Sequence, residues 1–135
     1  MDIEASELIY NALKAFVATK GNPYGCTVVD EEPYDPTYPI IIISEIRNVA
    51  NTSFDTPFDR VASIGYSIDI YAQNMGDKTK KQIARELAKL ADEYMCNQNF
   101  KRVGFVPDGL VRDNSLHRIL ATYSGNLHEN TRRII

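Results

Sequence analysis

The residues of this 135-residue chain most readily put to chemical use are two histidines, two cysteines and one knot of carboxylates. Cys26 and Cys96 stand far apart, in no CxxC pair and beside no histidine at metal-ligand spacing, so they read as reduced, half-buried thiols. His117 precedes Arg118 in an alternating apolar run, where a hydrogen-bonded strand histidine is expected, and His128 falls in a polar terminal arm, where solvation is expected. Asp30, Glu31, Glu32 and Asp35 offer hard oxygens to a divalent cation, but prolines interrupt them and the spacing is not that of an EF-hand. They read as a solvated acidic loop. The glycines form neither a GxGxxG nor a Walker-type phosphate cradle. An enzyme would have to converge His117, Arg118, Asp69 and Asp108, whose spacing gives no such logic. The expectation is therefore a non-enzymatic protein with no catalytic residues, no metal and no cofactor.

The elements that position these residues alternate in type. Ile9, Leu13, Phe16 and Val17, joined by Leu8 and Ala12, form one face of a helix over residues 2–20, closed by Gly21 and the turn-forming Asn22-Pro23. Residues 26–29 make a short β-like run. The stretch EEPYDPTYP holds three prolines and reads as an extended connector, and PIIIISEIR resumes as a β-branched strand, covered on both faces or covered on one and packed against a neighbour on the other. Residues 48–59, NVANTSFDTPFD, read as a long polar loop, a kind usually functional or mobile.

Then comes RVASIGYSIDIYAQN, whose even positions Ala62, Ile64, Tyr66, Ile68, Ile70 and Ala72 are apolar while Ser63, Gly65, Ser67 and Asp69 are small or polar. That is the period-two pattern of a half-buried strand, about twice the usual five or six residues in length. A strand that outruns its core leaves unpaired backbone groups, which favours an oligomer. Ile68→Asp should abolish folding, whereas Asp69→Lys should leave a folded monomer impaired in assembly or genome passage.

A second amphipathic helix follows in TKKQIARELAKLADEYMCNQ, with Asp77 or Thr79 as cap and Ile83, Leu87, Leu90 and Tyr94 on its apolar stripe. Its Lys78, Lys80, Lys81, Arg85 and Lys89 read as a solvated face. Residues 100–106 and about 115–127 predict two further strands, joined through a Pro-Asp-Gly turn and a polar tip at 112–114; residues 128–135 read as a loose arm. The order predicts one α+β domain over 1–135: a mixed, mainly antiparallel sheet with two amphipathic helices packed on one face.

Composition limits function further. Hydrophobic residues are 44% and charged residues 24%, values of a chain that folds. Fifteen basic against eighteen acidic residues, net −3, argue against a dedicated nucleic-acid surface. The opening MDIEASELIY lacks the basic and apolar segments of a secretory signal, and no apolar run would span a bilayer, so no membrane partner is expected.

The order of segments, YPIIIISEI, SIGYSIDIYAQN, KKQIARELAKLADEYM, FKRVGFVPDG and HRILATYSGNL after an N-terminal helix, resembles the small tail terminator and tail completion proteins of long-tailed bacteriophages. The likeness runs from about residue 3 to 127, and its most specific pieces are Gly104, Phe105, Pro107, His117, Arg118 and Tyr123. It implies a virion subunit, assembled in the host cytoplasm, of a homo-hexameric ring at the head-tail junction. Such a ring ends growth of the tail tube, contacts the tail tube protein and the head connector or stopper protein, and passes genomic DNA without sequence-specific binding. The interface residues expected on this reading are Asn48, Asn51, Thr52, Phe54, Asp55 and Phe58 in the long loop, Ser63, Ser67 and Asp69 on a channel or solvent face of mild negative character, and Arg112 and Asp113 at the tip. A head-side completion or stopper protein of the same junction, and a small ligand-binding regulatory α+β domain, are the alternatives.

Overall fold

A computed structural model describes residues 5–50, 61–111, 113–128 and 133–134. Helix α1 (Ala5–Thr19) is followed by a 3-10 turn (Pro23–Gly25), strands β1 (Thr27–Val29), β2 (Ile40–Ala50) and β3 (Val61–Ala72), helix α2 (Lys80–Asn97), and strands β4 (Lys101–Val106), β5 (His117–His128) and β6 (Arg133–Ile134). The sheet order is β1-β2-β3-β5-β4, with β6 also paired to β5. Among the described residues β1 and β2 pair in parallel and the other named strand pairs are antiparallel. The expected α+β class holds.

Each helix forms for a local reason and is held by one apolar stripe. In α1, Ile9, Leu13 and Val17 are buried, while Leu8, read as part of that face, is exposed. Gly21 takes a left-handed φ of +81° after α1, a conformation that costs glycine little and ends the helix. At the start of α2, Thr79 accepts the Gln82 N–H while the Gln82 side chain accepts the Thr79 N–H, a reciprocal capping box. Ile83, Ala84, Leu87, Ala91, Tyr94 and Met95 then face the sheet. Helix α1 lies along β1 and β2, and α2 along β3, β5 and β4, so both helices cover one face.

The even residues of β3, Ala62 through Ala72, form the floor of that core with Ile41, Ile43, Ile119, Ala121 and Tyr123. All four consecutive isoleucines of β2 are buried: Ile41 and Ile43 beneath the helices, Ile40 and Ile42 on the opposite side of the sheet. Four expectations need correction. First, β3 does not outrun the body. It is the central strand and is paired to β5 at every residue and to β2 over almost its whole length, so its backbone is satisfied within its own sheet. Second, the loop begins later than expected, because Asn48, Val49 and Ala50 continue β2 opposite Ile64, Ser63 and Ala62. Third, part of the arm belongs to the sheet: His128 ends β5, and β6 pairs Ile134, buried at 7% exposure, with Leu127. Fourth, the thiols are not alike: both are free, but Cys26 is buried, which raises its pKa, and Cys96 is exposed. No helix among the described residues is long and apolar enough to cross a membrane.

Candidate functional site

Directly paired residues of neighbouring strands point to the same side of a sheet, so the register assigns the face that no helix among the described residues covers. Its successive rows are Ile40, Tyr71 and Arg118; Ile42, Asp69, Leu120 and Val106; Ser44, Ser67, Thr122 and Gly104; Arg47, Gly65, Ser124 and Lys101; and Val49, Ser63 and Asn126. Small and polar side chains fill the middle of this band. Gly65 matters here: a Cβ built on it would sit 3.3 Å from Ile46 and 3.4 Å from the Arg47 Cβ. Without that Cβ, Arg47 reaches across β3 and donates to the Ser124 hydroxyl at 2.6 Å.

At the other end of the band the face is partly roofed. Arg118 holds Asp69 in a two-pronged contact, Nε at 2.7 Å and Nη2 at 2.6 Å from the same carboxylate oxygen, with side-chain exposures of only 24% and 19%. The same guanidinium donates to the Leu110 carbonyl at 3.3 Å and lies 5.6 Å from the Tyr71 ring centre, tying β3, β5 and the turn after β4 together. Tyr38 of the proline-rich connector packs against Tyr71, and Glu32, Leu110, Val111, Asp113 and Leu116 complete a hollow around Arg118. His117 is held by its Nε2, 2.9 Å from the Pro107 carbonyl and 3.6 Å from Asp108. It anchors the turn, as expected of a hydrogen-bonded strand histidine.

On the helix side, a groove of about 280 Å³ runs between α2 and β4, lined by Arg85, Ala88, Lys89, Asp92, Arg102, Phe105 and Tyr123. Asp92 accepts from the Tyr123 hydroxyl at 2.8 Å and from Arg102 at 3.4 Å. Burial first, and then the hydrogen bond to Asp92, raises the Tyr123 pKa far above its ordinary value of 10.0. The Arg102 guanidinium lies 5.2 Å from the Phe105 ring centre.

The structure brings Ser63, Ser67 and Asp69 together on the helix-free face and places Asp113 beside Arg118 at its roofed end. Asp113 is exposed, and its carboxylate accepts the Ser115 N–H at 2.9 Å, a bond that holds its pKa below the usual carboxylate value. Asn48 belongs elsewhere: its row contains Ile64, on the helix side, and its amide donates to Glu45 at 3.1 Å. Asn51, Thr52, Phe54, Asp55, Phe58 and Arg112 lie outside the described residues. Among the described residues, the paired rows of the helix-free face do not carry the mild negative character expected of it. Its rows carry Arg47, Lys101 and Arg118 against Asp69, because the register imports cations from β2, β4 and β5.

The residues that shape β4 and the part of β2 beyond β1 were not all among the expected site residues. The bulge in β2 falls between Glu45 and Arg47, and that in β4 between Arg102 and Gly104. Their extra residues, Ile46 and Val103, are 59% and 62% exposed. The signal was present as a break in alternation, VGFV in β4 and EIR in β2, but which strands are outermost is not written in a period-two pattern.

No protein-family model matches the chain, and no curated protein does. Among solved structures, a chain from "Virion of native gene transfer agent (GTA) particle" is similar with a TM-score of 0.38 and 17% sequence identity, over 90% of this chain and 83% of that one. A likeness of that size carries no argument about function.

Proposed function

We propose that the chain is a structural virion subunit that forms a ring at the head-proximal end of a phage tail tube, where it ends tube growth and offers the surface for head joining. The carrying observation is a sheet finished on one side only. Two helices seal one face, while the other presents a polar band from Ser44 to Asn126 that no helix among the described residues covers. Among the described residues both outer edges also lack a strand over much of their length. A subunit with an uncovered polar face and open edges suits a closed assembly, in which neighbours cover edges and the remaining face meets solvent or a channel. The order of sequence segments resembling tail terminators supports the same reading.

Self-association comes first on this reading, followed by contacts with the tail tube protein and the head connector or stopper. Genomic DNA passes through the ring without sequence-specific binding, and no catalytic step or cofactor is involved. The head-side completion protein is the nearest neighbour of this proposal. The two separate by what the ring binds. In an elongation assay with the tube protein of the same phage, added chain should cap one end of each tube and stop its growth, seen by negative-stain imaging. Tubes that grow unchanged, with rings attached to connectors instead, would move the chain to the head side.

A further inference from the structure

The two outer edges of the sheet are built to receive each other. β1 covers only Ile40, Ile41 and Ile42 of β2, so among the described residues the outer backbone edge of β2 is open from residue 43 onward. β4 forms the opposite edge. We propose that β4 of one copy of this chain adds, antiparallel, to residues 43–47 of β2 in a second copy. The inference rests on the ring reading above and supplies its contact.

Direction and level both fit. The neighbours β2, β3, β5 and β4 are antiparallel in succession, so β4 runs opposite to β2. A second copy added edge to edge in the same orientation therefore meets β4 with an antiparallel β2. The shared rows show that the two edges stand at one height: Lys101 is level with Arg47, Arg102 with Glu45, Gly104 with Ser44, and Phe105 with Ile43. Antiparallel addition lets the open N–H and C=O groups of each edge pair with the other.

The side chains are complementary as well. Edge strands that stay solitary are usually guarded by lysines, prolines or bulges. Both edges here have a bulge, but the bulged residues are Ile46 and Val103, and they are joined by exposed Val49, Phe105 and Val106. Charge agrees with this. Glu45 and Arg102 lie in one row on the helix side, so an unshifted joint sets a carboxylate against a guanidinium, with Arg85 and Lys89 nearby in the groove. The one like-charged row, Arg47 with Lys101, is relieved because Arg47 turns inward to Ser124. Since the two edges are different surfaces, the contact is head-to-tail, the kind that makes a ring when the twist between successive copies closes.

Site-directed cross-linking tests this on the full chain in a Cys96→Ser background, which removes the exposed native thiol. With Ile46→Cys and Val103→Cys combined, mild oxidation should give a ladder of covalent oligomers ending at the ring's mass, since a disulfide demands Cα atoms within about 7 Å. Either cysteine alone should give no product. Glu45→Arg and Arg102→Glu, each checked for native circular dichroism, should each weaken self-association at least about tenfold, and the double swap should restore it. A ring that forms in the parent chain without the 46–103 ladder overturns this contact and leaves the ring reading standing. Dimers from either single cysteine overturn it in favour of a two-fold joint. A chain that stays monomeric at millimolar concentration and gives no ladder overturns both.

Discussion

At the scale of single residues, the contact of Asp69 with Arg118 changes what a substitution there will report. Asp69 was legible as a polar residue on the uncovered face, because the alternation of β3 is regular. Its partner was not, because Arg118 lies forty-nine positions away and only the register of β3 with β5 brings them together. Asp69→Lys is therefore not the mild surface change that the sequence suggests. It sets an ammonium against a half-buried guanidinium that also holds the Leu110 carbonyl. Asp69→Asn should cost about 1–3 kcal/mol in urea unfolding, the range for removing one partner of a partly buried charged hydrogen bond. Asp69→Lys should cost more. An unchanged midpoint for both would mean that the pair contributes nothing to stability.

At the scale of elements, the alternation in β3 and β5 and the apolar stripes of α1 and α2 were enough to predict strands, helices and the face between them. Packing made the remainder invisible. Nothing in NVA marks it as strand until Ala62, Ser63 and Ile64 are placed beside it, and RRII looks like a loose end until Ile134 is seated against Leu127. The joint between α2 and β5 is another pairing that only the fold creates, and it carries a pH dependence. Unfolded, Tyr123 releases its proton near its ordinary value of 10.0; folded, burial and the bond to Asp92 keep it protonated well above that. Above pH 10 the unfolded state thus binds fewer protons than the native state. The stabilisation from this proton is whole below that pH and falls as pH rises beyond it. Unfolding midpoints should decline through the alkaline range, and Tyr123→Phe should flatten the decline while costing about 1 kcal/mol at neutral pH. An equally steep decline in Tyr123→Phe would place the effect elsewhere.

At the scale of the molecule, the long strand means something different from what its length suggested. A twelve-residue β3 serves the body itself, flanked by β2 and β5 along its length. Among the described residues, exposed pairing capacity lies on the part of β2 that β1 leaves uncovered and on β4, where Ile46 and Val103 stand out from their bulges. Capacity for assembly therefore lies at the margins of the sheet and not in its middle, and the polar face between them is left free for solvent or a channel. The most direct test is the mass of the purified chain, measured by sedimentation velocity and native mass spectrometry from micromolar to millimolar concentration. The account predicts a closed ring, homo-hexameric by the resemblance to tail terminators, with no stable open chains above it. A strict monomer at every concentration, which also fails to form rings when tail tubes are added, would contradict it.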